Sequence, residues 1–252
     1  MANCIPSVQN SFKAICVLVV VVTVIAMAVI VTGANSGIGF EVAKSLCRQG
    51  YDVVISVRDE EKGDSTVSRI KSEFPDAQLT YFTMEMSDPQ SIRSFVEEFK
   101  DTGKSLHALI NNAGVLGSWM DAKRHCVRGD QSIEEMVMVN CMGPFLLTNL
   151  LLDLLKQSAA EEKPSLVVNI SSRVLDAKVN EWATNLDDIM TEKPESYISG
   201  GQVYRWSKVG LNLWSKVLAT HLEGTTVKVN CLCPGFIPGT GLFRNSTTSF
   251  LW

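Results

Sequence analysis

Six short runs rich in Val and Ile alternate with longer stretches whose apolar residues repeat at helical spacing. No other feature of the chain constrains its fold as much. The strand candidates are residues 28–32, 52–57, 78–84, 106–110, 166–170 and 226–232, and the helix candidates are 38–49, 60–74, 88–100, 132–157 and 204–222. Strands that are apolar on both faces and separated by helices belong in a parallel sheet covered on each side. The pattern predicts one α/β domain: a Rossmann-type, doubly wound parallel sheet in three α/β/α layers. With 252 residues the chain can bury such a core without a disulfide framework or a structural metal. Residues 1–26 are expected to form a tail with an apolar segment, and residues 27–252 the domain. Two irregular stretches, 115–129 and 173–203, follow strand ends, where open α/β sheets bind their ligands.

Composition narrows the function classes. Lys plus Arg number 23 against 27 Asp plus Glu, a formal charge of −4, so the basic footprint of a nucleic-acid-binding domain is missing. A chain that is 46% hydrophobic and 20% charged is not intrinsically disordered. The seven cysteines are odd in number and dispersed without CxxC pairs, which fits free thiols. His107, His125 and His221 are too scattered for a zinc site, and no metal is expected. One stretch stands out: among residues 14–31 only Thr23 is polar. A spanning helix needs ~20 apolar residues, and the first strand claims the end of this run. Membrane association through residues 14–30 and a fully soluble chain both remain open.

The first strand runs straight into Thr32-Gly33-Ala34-Asn35-Ser36-Gly37-Ile38-Gly39. Glycines at 33, 37 and 39 permit a tight turn, close backbone approach to a pyrophosphate and tight packing of the next helix. The helix that follows would direct unpaired N–H groups at phosphates. A plain structural turn is the alternative reading. Arg58 ends the second strand, where an acidic residue would suit NAD and an arginine suits the 2′-phosphate of NADP. The competing reading pairs Arg58 with Asp59 or Glu61. Farther on come Asn111-Asn112-Ala113-Gly114, Val139-Asn140, Asn169-Ile170-Ser171-Ser172 and Tyr204-Arg205-Trp206-Ser207-Lys208. Tyr204 and Lys208 are four apart and share a helix face. An ammonium beside a phenol lowers the tyrosine pKa toward working pH, while Ser172 could hold a substrate oxygen. A Tyr-x-x-x-Lys pair alone is a common surface pattern; its weight comes from the order of all these segments.

Taken together, TGANSGIG, NNAG, the Asn140 helix, VNISS, YRWSK and CPG resemble the short-chain dehydrogenase/reductase family, in its carbonyl reductase and retinol dehydrogenase-like branches. The resemblance implies Tyr204 as acid/base, Ser172 as its oxygen-binding partner and Lys208 as pKa modulator and nicotinamide-ribose ligand. Asn140 would organise a water beside Lys208. It further implies a cofactor site of Gly33, Ser36, Gly37, Ile38, Gly39, Arg58, Asn111, Ala113 and Gly114. Within it Asn111 would lie beside the adenosine, and Pro234 and Gly235 would approach the nicotinamide. The expected cofactor is NADP(H), with NAD(H) second. The expected substrate is a small apolar carbonyl or alcohol such as a retinoid, steroid or quinone-like compound. A homodimer or homotetramer, on the cytoplasmic side of the endoplasmic reticulum or soluble in the cytoplasm, completes the implied picture. Only 18 residues follow Pro234 and they read as loop, so the sheet is expected to lack its last strand and the pocket a wall. The alternative is a catalytically impaired NADP-binding or scaffold homologue.

Overall fold

The computed structural model describes residues 27–117, 126–127, 133–172, 200–235, 237, 240 and 242. Among the described residues eight strands and five helices follow one another: β1 (Met27–Thr32), α1 (Gly37–Arg48), β2 (Asp52–Val57), α2 (Glu60–Glu73), β3 (Leu79–Thr83), α3 (Pro89–Asp101) and β4 (Ser105–Asn111). Then come the two-residue pair β5 (Cys126–Val127) and β6 (Ile133–Glu134), α4 (Glu135–Ser158), β7 (Ser165–Ile170), α5 (Gly200–His221) and β8 (Val227–Leu232). Six strands form one sheet in the order β3-β2-β1-β4-β7-β8, every neighbour parallel. The chain steps outward from β1 to β3, then crosses back to β4, so β1 and β4 flank the point where the winding reverses. In such sheets ligands bind at the carboxyl ends of the strands beside that point.

The strands are buried on both sides because two apolar layers cover them. Phe40, Ala43 and Cys47 of α1 and Ile70 of α2 pack with Val29, Val31, Val53 and Ile55 on one face. Phe95 and Phe99 of α3, Leu147, Leu151 and Leu155 of α4 and Leu218 of α5 pack on the other. The three-layer expectation therefore holds, and the bounds of β2 match it to the residue. At the outer edge, Val227 of β8 is buried against α5, whereas Lys228, Asn230 and Leu232 are exposed. Cys231 is exposed there as well.

Two local departures from regularity matter. Ala28 pairs with Leu106 but Val29 with Ala108, which leaves His107 as an extra residue in β4. Within α4, residues Met138–Met142 form a π-helical turn. Among the described residues α4 is the one helix long and apolar enough to cross a membrane, but half of its most apolar window is buried inside this fold. Of the segment 14–30 considered for membrane association, Met27–Ile30 belong to β1 and are paired with β2 and β4. The remainder lies outside the described residues.

Candidate active site

The turn after β1 is built by steric necessity. Gly33 and Gly37 have φ of 64° and 59°, a left-handed conformation that side chains disfavour. At Gly39 the constraint is space, since a Cβ there would lie 2.3 Å from Asn112 Nδ2 and 2.6 Å from the Gly33 carbonyl oxygen. Asn112 is drawn so close because its Nδ2 donates to the carbonyl oxygens of Thr32 (2.8 Å) and Gly33 (3.2 Å). In return Thr32 Oγ1 accepts from the backbone N–H groups of Asn112 and Ala113, both at 3.0 Å. The Asn112 segment thus locks the glycine turn in shape. Ser36 stands at the N-cap of α1 without capping any N–H through its side chain, so the first-turn amides of Gly37, Ile38 and Gly39 keep their donors for an anion. Thr240 rests against Gly37 from the far end of the chain.

Arg58 follows β2 and is exposed. Asp59 does not pair with it. Its carboxylate caps α2 by accepting from the Lys62 N–H (2.9 Å) and forms an ion pair with Lys62 Nζ. Those hydrogen bonds from Lys62 hold the Asp59 pKa below its ordinary value, with backbone and charge contributions in the same direction. Among the described residues Arg58 makes no ion pair, so its guanidinium is open to a phosphate. The glycine turn, the uncapped α1 amides and this arginine form a cradle that fits a phosphorylated dinucleotide.

The catalytic candidates converge beside that cradle. Tyr204 and Lys208 lie on the buried face of α5, 5% and 4% exposed. Ser172, just past β7, is hydrogen-bonded to the Tyr204 phenol. Lys208 Nζ donates to the Ile170 carbonyl oxygen (2.9 Å) and lies 5.9 Å from the centroid of the Tyr204 ring. Gly114 closes in from β4: a Cβ there would meet Asn140 Oδ1 at 3.2 Å and Lys208 Nζ at 3.5 Å. The π-helical turn carries Asn140 into this space. Its Oδ1 accepts from the Val115 N–H (2.8 Å), and its Nδ2 donates to the Val115 carbonyl oxygen (2.9 Å) and to Ser207 Oγ (3.0 Å). The Asn140 carboxamide is thus committed to joining the loop after β4 to α5.

Burial sets the electrostatics. Lys208 is pulled down from 10.5 to about 8 by desolvation, against opposing contributions from Cys231 and Cys141. The Tyr204 pKa is raised, also by desolvation, although the Ser172 hydrogen bond works the other way. This corrects the expectation of a phenol lowered by its lysine. Both groups are so poorly hydrated that burial disfavours the phenolate and the ammonium alike.

One other placement differs from expectation. Asn111, assigned to the adenosine, is 2% exposed and turns its side chain into the core. Its Nδ2 donates to Thr148 Oγ1 (3.0 Å) and Asn169 Oδ1 (2.8 Å), and Asn169 donates in turn to Ser215 Oγ (2.8 Å). Only its main chain can face a nucleotide. Near the end of β3, Glu85 Oε1 accepts from the N–H and hydroxyl of Ser87. Pro234 and Gly235 follow β8, and Gly235 has a φ of 84° and donates its N–H to Cys233 Sγ. Thr148 and Ser215 lie outside every motif of the sequence, and Thr32, Asn112, Asn169 and Ser207 lie within the motifs without an assigned role. For Asn169 the available signal is a polar residue inside an otherwise apolar strand.

Comparison with known proteins agrees with this geometry. Residues 27–184 match the family model for short chain dehydrogenases. Human retinol dehydrogenase 12 is 37% identical over 224 residues, covering 89% of this chain and 66% of its own length. Human polyprenol dehydrogenase is 37% identical over 210 residues, covering 82% of this chain and 60% of its own length. The chain thus spans 60–66% of the length of these relatives. Among solved structures, the complex of RhlG with NADP from Pseudomonas aeruginosa is similar, with a TM-score of 0.66, 27% identity and coverage of 86% of this chain and 75% of that one. The glycine turn after β1 and the buried Ser–Tyr–Lys group on one parallel sheet accord with that family model, and the chain belongs to the short-chain dehydrogenase family.

Proposed function

We propose that the chain is an NADP(H)-dependent oxidoreductase that interconverts a carbonyl and an alcohol on a small apolar substrate of retinoid, steroid or quinone-like type. The observation that carries this reading is the hydrogen bond between Ser172 and the buried Tyr204 phenol, with Lys208 one helical turn away. When bound, the dinucleotide supplies or takes up the hydride. In the reductive direction Ser172 holds the substrate oxygen and Tyr204 delivers the phenolic proton to it; in the oxidative direction Tyr204 receives that proton. Lys208 lends the phenol a neighbouring positive charge, and its own pKa near 8 keeps it partly protonated at working pH. Arg58, exposed and without an ion pair among the described residues, supports NADP over NAD. The likeness to retinol and polyprenol dehydrogenases supports an apolar substrate. Exposed Phe145, Leu213 and Val217 on α4 and α5 support a homo-oligomer. The apolar residues that precede β1 support association with a membrane surface.

The test is NADPH oxidation by the purified chain over a panel of apolar ketones, aldehydes and quinones, beside Tyr204→Phe. Loss of the proton donor is expected to lower kcat by roughly 10²–10⁴-fold with the fold intact. Equal rates for the two proteins would remove Tyr204 from the mechanism. Tight NADPH binding without turnover on any carbonyl would favour the binding-only reading.

A further inference from the structure

Arg69 is not part of any motif, yet it touches the phosphate cradle from both ends. It sits late in α2, next to Ile70, which is fully buried in the core between α2 and the sheet. Its Nη1 donates to the carbonyl oxygen of Asn35 (3.5 Å), and its guanidinium carbon lies 3.9 Å from the centroid of the Phe40 ring. Asn35 and Phe40 bracket Ser36–Gly39, the stretch whose amides face the anion site. Phe40 is itself buried beside Ala34, Ala43 and Ile70. The guanidinium therefore spans the turn like a bracket, with one end on the carbonyl before the helix and its flat face on a ring in the helix's first turn. A cleft lined by Asn35, Glu61, Lys62, Ser65 and Thr66 opens between this turn and α2.

We infer that Arg69 is a positioning residue for dinucleotide binding: it holds the glycine turn and the start of α1 at a fixed distance from α2, so that the amides meet the pyrophosphate. The inference rests on the reading of this turn as the dinucleotide site. Planarity is essential to the role. A guanidinium can lie on the Phe40 ring and donate to Asn35 at once, whereas a lysine ammonium is a point charge without a flat face. A residue that instead bound the 2′-phosphate directly would act by charge, and would matter for NADPH alone.

Dissociation constants for NADPH and NADH, measured by quenching of the protein's tryptophan fluorescence, separate these roles. Arg69→Ala is expected to weaken both dinucleotides by the same factor, roughly three- to tenfold. KM for the cofactor rises with it, while kcat at saturation is retained. Arg69→Lys is expected to recover little of the loss. Wild-type affinity in Arg69→Ala, a loss confined to NADPH, or full rescue by lysine would each overturn the inference. Should the alanine variant fail to fold, Arg69→Met keeps the stem over Phe40 and carries the same measurement. If the wild-type chain binds neither dinucleotide, it is the proposed function that fails, and the failure is seen before any variant is compared.

Discussion

Lys208 sits at the centre of the site as a buried amine whose Nζ donates to the Ile170 carbonyl. Its folded pKa of about 8 lies below its ordinary 10.5. Between those values the unfolded chain binds more protons than the folded one. The penalty for burying this ammonium is therefore full below about pH 8 and fades as the pH climbs to 10.5. Lys208→Met is expected to abolish turnover yet stabilise the fold at pH 7, by about 1–3 kcal/mol after the lost hydrogen bond is counted. The gain should shrink toward pH 10. Thermal melts at both pH values check this, and a gap that widens with pH would show that desolvation of Lys208 is not the cause. Tyr204 is under the same influence, raised by burial as Lys208 is lowered. The pair occupies a dry pocket in which neither charge is cheap, which suits groups that exchange protons with a reacting oxygen.

Among the elements, the turn between β1 and α1 and the π-helical turn of α4 do the positioning. The first has no slack. A methyl group at Gly39 would meet Asn112 Nδ2 and the Gly33 carbonyl at well under van der Waals distance. Gly39→Ala is expected to cost roughly 1–3 kcal/mol of stability as the turn is forced open, with NADPH affinity falling in parallel. A denaturant midpoint equal to wild type would show that the turn yields easily. The π-helical turn acts differently. One extra residue per turn rotates Asn140 inward, where it joins Val115 to Ser207. The spacing of apolar residues in 132–157 predicted a helix there, and α4 is one. That spacing carried no sign of the π-helical turn, because five-residue hydrogen bonding depends on what Asn140 finds across the groove.

Across the whole molecule, every site residue lies at the carboxyl edge of the sheet, and the opposite edge is left to stability. His107, the extra residue of the β4 bulge, is buried, and its Nδ1 has no hydrogen-bond partner among the described residues. Burial lowers its pKa, and Lys163 adds to the effect. As pH falls through 6.5 the unfolded chain takes up a proton that the folded chain resists, so stability drops on acidification. His107→Leu is expected to flatten that loss, which denaturant titrations at pH 7 and pH 5 would show. An unchanged acid sensitivity would place its origin elsewhere. The sequence by itself determined the layered α/β fold, because apolar runs of strand and helix period leave a parallel sheet as the arrangement that buries both. It also put Ser172, Tyr204 and Lys208 forward as one candidate group, because their order follows the strand and helix that present them. Only the tertiary structure decided that Asn111 turns inward to Thr148 and Asn169, that Arg69 brackets the glycine turn, and that burial raises the Tyr204 pKa. Each of these depends on which groups from distant segments pack around a side chain, and spacing along the chain carries no record of that surrounding.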